Sequence, residues 1–233
     1  MKNFFKQFNK AFTLAEVLIT LVVIGVIAAL TIPTAVNKYH EQQTIQALKS
    51  TYSTFAQAIK MAESNNGPVE AWDMGPADSP QGTLKLYNYL APYLSIVKEC
   101  KLSAGCFGDN YQTLQGTVSD IQPKTHSVYA RAILNNGVSF LVWSNGGCEP
   151  TSISEYCGSI QVDINGDKKP NRYGYDYFDF VITKNGLIPC GNERSSMQSR
   201  CKFSGTSKYN GQACTAWVLY KNNFDYKHRD VSW

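Results

Sequence analysis

The chain has 233 residues, 43% of them hydrophobic and 17% charged, with a formal charge of +4. That is room for one extended helix and one globular domain of ordinary size. The near balance of charge gives no support for broad nucleic-acid binding, and no Gly-rich phosphate loop occurs. The three histidines, His40, His126 and His228, have no nucleophile at a recognisable spacing, so catalysis is not expected.

Residues 1–11 carry Lys2, Lys6 and Lys10 and no acid. Lys10-Ala11-Phe12-Thr13-Leu14-Ala15-Glu16 follows, and then an apolar run to Pro33. From Phe12 to Ile32 there is one charge in 21 residues, which suffices for a spanning helix of ~20 apolar residues. The basic start orients such a helix with its N-terminus in the cytoplasm and the bulk of the chain outside. Thr13, Thr20 and Thr31 can return their hydroxyls to the helix backbone. Pro33 cannot donate a backbone hydrogen bond, so a kink or melted turn is expected near it. Gly25 lowers local helix propensity, and the segment between the two is expected to lose helicity on assembly. Glu16 is costly at bilayer depth and needs a partner or a function.

This N-terminus resembles that of the type IV pilins and type II secretion pseudopilins. The resemblance is carried by the short basic leader, the small residue before Phe12-Thr13-Leu14, and a Glu five residues after the cut. It implies cleavage between Ala11 and Phe12 by a prepilin peptidase, methylation of the new amine of Phe12, and polymerisation through the helix. Gly25 and Pro33 stand where the family commonly has a helix-loosening Gly and Pro. Ala11 departs from the usual Gly but is small enough for processing. The implied role of Glu16 is to meet the methylated amine of a neighbouring Phe12 and set the axial register. The implied partners are other pilin or pseudopilin subunits, the peptidase and methyltransferase, an inner-membrane assembly platform, and the membrane before assembly. The implied place is the bacterial inner membrane, then a periplasmic or extracellular filament. Removing the leader leaves 19 basic and 18 acidic residues, and nucleic acid is not an expected partner. An ordinary signal cut near Thr34-Ala35 would leave Glu16 unexplained.

Beyond Pro33 the helix continues with a changed pattern. Ile45, Leu48, Tyr52, Phe55, Ile59 and Ala62 recur at spacings of three and four, with polar residues between them. This predicts an amphipathic half with one face on a globular domain. Asn65-Asn66-Gly67-Pro68 ends it. The chain thus reads as a leader (1–11), an apolar half-helix (12–33), an amphipathic half-helix (34–66) and a globular region (67–233). The whole helix would be ~80 Å long, a length that suits a filament core.

The globular region predicts a short helix around Thr83–Leu94 in otherwise irregular chain up to residue 126. A hairpin follows, Ser127–Leu134 and Val138–Trp143 about Asn135-Asn136-Gly137. Further strands are predicted at Ser159–Ile164, Phe178–Thr183, Leu187-Ile188 and Ala213–Tyr220. The expected fold is α+β and pilin-like: the long helix on a mainly antiparallel sheet of about four strands, with disulfide-stapled loops. Seven cysteines all lie beyond residue 99: Cys100, Cys106, Cys148, Cys157, Cys190, Cys201 and Cys214. In an exported domain they read as disulfides. Close spacing suggests Cys100–Cys106 and Cys148–Cys157, with two of the last three forming a third bridge. One thiol is left over, free or bonded to another molecule. No Cys-x-x-Cys or His-x-x-x-His spacing supports zinc.

Residues 162–178 form the most distinctive stretch downstream. Asp163, Asn165 and Asp167 alternate oxygen ligands like the opening of a calcium loop, and Asp176 could supply a late ligand. Lys168 and Gly174 stand where an EF-hand has Gly and Glu. The alternative is a turn held by Asp and Asn side chains bonding their own backbone. No cofactor is required by either reading, and calcium is the one candidate. The aromatic cluster Tyr173, Tyr175, Tyr177, Phe178 and Phe180 reads either as a contact surface or as alternating core and surface positions. Two roles remain in view: a structural filament subunit, or a minor tip subunit that binds through its C-terminal domain.

Overall fold

A Thr-x-x-Glu sequence opens the first helix, α1, which runs from Leu14 to Asn66. The computed structural model describes residues 13–151, 154–192 and 195–233. These fall into two compact units, one up to Gln42 and one from Gln43 to Trp233. In the first unit α1 carries no charged residue on any side from Val17 to Val36. The helix is unbroken through Gly25 and Pro33, so the melted turn expected there is not a property of the single chain.

In the second unit α1 is amphipathic. Ile45, Leu48, Thr51, Phe55, Ala58, Ile59 and Ala62 are buried on one face. The face continues at Tyr52, whose hydroxyl donates to the Leu187 carbonyl at 2.9 Å. Phe55 meets Phe140 edge-on at 5.1 Å and Tyr52 meets Phe180 at 5.6 Å. A fully buried aromatic of this kind contributes ~3–5 kcal/mol when truncation to Ala is the reference. Gly67 ends the helix at φ +81°, where its N–H donates to the Glu63 carbonyl at 2.9 Å. That left-handed conformation favours glycine over any side chain.

Six antiparallel strands follow in sequence order: β1 (Ile96–Lys101), β2 (Ala130–Leu134), β3 (Ser139–Thr151), β4 (Ser154–Asp163), β5 (Tyr177–Thr183) and β6 (Gly186–Pro189). The helix α2 (Pro80–Leu90) precedes them, capped by the Ser79 hydroxyl on the Gly82 N–H at 3.0 Å. Strand alternation sorts the sheet into two faces. Phe140, Val142, Ile160, Val162, Phe178, Phe180 and Ile182 join the core that holds the α1 face. Leu141 and Tyr177 point the other way, into a second core with Phe107, Tyr111, Tyr129 and Tyr173.

Three expectations are corrected. The sheet has six strands rather than about four, because β1 was unreadable: Lys98, Glu99 and Lys101 give it no apolar alternation, and it is a mostly exposed edge. Ala213–Tyr220 is not a strand. It is the helix α4 (Cys214–Lys221), reached after the short helix α3 (Ser195–Gln198). A short apolar run carries no period that separates the two states, and here five successive residues from Cys214 to Val218 are buried. Finally, Tyr173, Tyr177, Phe178 and Phe180 are all buried. The aromatic cluster is core, with Tyr175 alone partly exposed.

Three disulfides staple the second unit: Cys100–Cys106, Cys148–Cys157 and Cys201–Cys214. Cys190 is the free thiol, and it is buried.

Candidate functional site

The head of α1 is a capping box. Glu16 Oε2 accepts the Thr13 N–H at 2.8 Å and the Thr13 hydroxyl at 2.7 Å. In return the Thr13 Oγ1 accepts the Glu16 N–H at 3.2 Å. Thr-x-x-Glu is the spacing that lets each side chain reach the other's backbone donor. It leaves the only carboxylate of the apolar segment satisfied within its own chain. Thr20 and Thr31 donate to the carbonyls of Val17 and Ile27, both at 2.9 Å, so their hydroxyls are satisfied locally as well.

The rest of this segment is exposed hydrocarbon. Leu14 is 78% exposed and Leu30 73%, and Leu18, Ile19, Leu21, Val22, Val23, Ile24, Val26, Ile27 and Ile32 are exposed too. A soluble monomer does not present a patch of this extent to water. The helix is long and apolar enough to cross a membrane. A Cβ added at Gly25 would meet nothing within 4 Å, so no packing within this chain requires a glycine there. Ala11 and Phe12 lie outside the described residues.

The second cluster sits under the loop from Asn165 to Asp176, on the outer face of the sheet. Asp163, at the end of β4, accepts the Tyr111 hydroxyl and, at 3.2 Å, the Asn165 N–H. Asp176 accepts the N–H groups of Asn171 at 2.9 Å and Arg172 at 2.7 Å, and the Asn165 amide at 3.2 Å. Asn165 thus reaches both carboxylates. Burial pushes Asp163 well above the usual carboxylate range, and the nearby Asp176 charge adds to the shift. Burial raises Asp176 as well, against the opposing hydrogen bonds of Arg172 and Asn171. Asp167 is exposed. Among the described residues no three His, Cys, Asp or Glu side chains are grouped to hold a metal ion. Asp163, Asn165 and Asp176 are therefore together, Asp167 is apart, and the oxygens of the two buried carboxylates are engaged by protein donors.

Two buried charges in this layer were not singled out from the sequence. Arg131 of β2 is fully buried. Its guanidinium donates to the carbonyls of Pro123, His126 and Tyr129, the last at 2.8 Å. It fixes the long connection between β1 and β2 over the sheet. Asp179 of β5 accepts the Gln161 amide at 3.3 Å and leaves its Oδ1 without a hydrogen-bond partner. Burial raises its pKa to about 7. Alternation along β5 places Tyr177, Asp179 and Val181 on one face, but the sequence gives no sign that this face is covered.

The sequence matches a family of unknown function (DUF6613) over residues 34–186, and the prokaryotic N-terminal methylation motif over residues 6–32. No curated protein and no solved structure matches the chain.

Proposed function

From the premise that the chain belongs to the family of unknown function DUF6613, and carries the N-terminal methylation motif of type IV pilins and pseudopilins, we propose a filament subunit that is cut after Ala11, methylated at Phe12 and polymerised through α1. The chain is a pilin-type structural subunit. The finer reading rests on one observation: an apolar stretch of α1, residues 14–36, whose single carboxylate is held at its extreme end by a capping box. Hydrocarbon of this extent needs lipid before assembly and other helices after it. The inner membrane supplies the first, with the basic leader on the cytoplasmic side. Bundled copies of the same segment supply the second.

Glu16 then exchanges partners. In the membrane Thr13 satisfies it, and in the filament the methylated amine of a neighbouring Phe12 replaces that pair with an ionic one. The new pair sets two full charges of opposite sign together in a low-dielectric bundle, where their attraction exceeds that of a carboxylate for neutral donors, so the subunit is favoured in register and disfavoured out of it. The vacant surroundings of Gly25 support its use against neighbouring helices.

The test is the sheared-fibre fraction of the producing cells. Wild-type chain is expected in it, and Glu16→Ala is expected to remain in the membrane fraction with its globular unit folded. Normal fibres from Glu16→Ala would refute the exchange. A second reading, a minor subunit that binds through its far end, draws support from residues 187–233. They lie beyond the span matched by the family and carry their own bridge, Cys201–Cys214.

A further inference from the structure

The end of α1 and the helix α2 border a cleft of about 360 Å³, lined by Asn66, Asp73, Lys85, Asn88, Tyr89 and Tyr93. That volume lies within the ~300–1,000 Å³ range of small-molecule sites.

The walls of the cleft are held in place. Trp72, whose indole N–H donates to the Gly67 carbonyl at 2.8 Å, stacks on the Tyr89 ring with centroids 4.8 Å apart and planes 14° from parallel. The Tyr89 hydroxyl accepts the Asp73 N–H at 3.2 Å. Tyr89 is partly exposed, so it is a fixed ring that still reaches the cleft. The Asn66 Nδ2 donates to the Ala62 carbonyl at 2.9 Å, which leaves its Oδ1 as an acceptor.

The polar groups are of two kinds. Asp73 and Lys85 are the charged residues of the lining, and they pair with each other at 2.6 Å. Asp73 also accepts the Gly75 N–H at 3.1 Å. The lining therefore carries no net charge and does not select an ion. Asn88 and Tyr93 differ, since among the described residues the side chain of neither forms a hydrogen bond. An Asn amide both donates and accepts, and so does a Tyr hydroxyl. The fold makes no use of either capacity.

We propose that this cleft binds a neutral hexopyranose, either free or as one unit of a glycan. A pyranose presents C–H groups on its faces and hydroxyls around its rim. The C–H groups suit the electron-rich face of an aromatic ring, here Tyr89 and Tyr93. Each rim hydroxyl donates and accepts, which matches the amides of Asn66 and Asn88 and the neutral pair of Asp73 and Lys85. The site takes nothing from residues 187–233 and is independent of which filament the subunit enters.

The experiment is saturation-transfer NMR titration of the full chain in a zwitterionic detergent without a sugar head group. The probes are methyl glucoside, methyl galactoside, methyl mannoside and N-acetylglucosamine, with lactose and chitobiose as two-ring counterparts of the second and fourth. Saturable binding of at least one is expected. Tighter binding of a two-ring probe than of its single ring means that the ligand is a unit of a glycan, and equal binding means that a free sugar suffices. Asn88→Ala and Tyr93→Phe each remove one side-chain hydrogen bond to the sugar and are expected to weaken binding about threefold to tenfold with melting temperatures unchanged. Tyr89→Ala is expected to abolish saturation. Gln81→Ala, at an exposed position of α2 outside the cleft, is expected to bind as wild type. The proposal is overturned if no probe saturates the wild-type chain, if myo-inositol saturates it as well as the sugars do, or if Asn88→Ala and Tyr93→Phe lose no more than Gln81→Ala.

Discussion

Thr13 and Glu16 close a reciprocal set of hydrogen bonds at the head of α1, with Glu16 Oε2 on the Thr13 N–H at 2.8 Å and Thr13 Oγ1 on the Glu16 N–H at 3.2 Å. The carboxylate on which the proposed assembly turns is therefore not idle in the single chain. It caps the helix that will carry it into the filament.

Thr13→Val removes the hydroxyl and keeps the shape. The cap is worth ~1 kcal/mol at a helix N-terminus, so amides in the first turn should exchange faster with solvent by about five- to tenfold. Thr13→Ser should restore protection. Unchanged exchange in Thr13→Val would show that the box contributes nothing to the helix end.

Asp179 gives the globular unit a pH dependence of known sign. Its folded pKa, about 7, lies above the ordinary 3.8. The stabilisation is full below the unfolded value and is lost as pH rises through the folded one. Between pH 4 and 7 this residue should lower the melting temperature as pH increases. Asp179→Asn keeps an acceptor for Gln161 and removes the titration, so its melting curve should be flatter over that window and its stability at pH 7.5 higher. A parallel pH dependence in the variant would contradict the assignment.

Cysteine chemistry should distinguish one thiol from six. Cys190 is buried, and burial pushes its pKa well above the usual value, so maleimide should label the native chain very slowly. In denaturant without reductant one thiol per chain should react. Cys201→Ser together with Cys214→Ser should cost ~2–4 kcal/mol, the range for bridges closing loops of this size. Rapid native labelling, or three reactive thiols on unfolding, would contradict the pairing.

Calcium is tested at the loop after β4. Tyr111, Asn165, Asn171 and Arg172 already donate to Asp163 and Asp176. Calcium and chelator should therefore give the full chain in detergent the same melting temperature. A rise with calcium, abolished in Asp176→Asn, would mean that the cation displaces the Asn165 amide and closes the loop as an ion site.

The N-terminal segment was legible because its signal is one-dimensional: a basic start, then one charge at a fixed place inside a run of apolar residues. The amphipathic half was legible for the same reason, since Ile45, Leu48, Phe55, Ile59 and Ala62 keep helical spacing and all are buried. The hairpin announced by Asn136-Gly137 emerged where expected. What stayed hidden depends on a third dimension. The edge strand β1 is made by pairing with β2, against the grain of its own charges. The helix α4 is set by burial around the Cys201–Cys214 bridge rather than by local preference. Arg131 and Asp179 are buried because a layer of irregular chain covers the outer face of the sheet, and no pattern along the sequence says that it does.

The central claim is tested most directly by intact mass and N-terminal sequencing of the chain recovered from producing cells. The account predicts a mature chain that begins at Phe12 and carries one additional methyl group on its amine. A chain that begins near Val36, or one still starting at Met1 with its leader uncut, would contradict it.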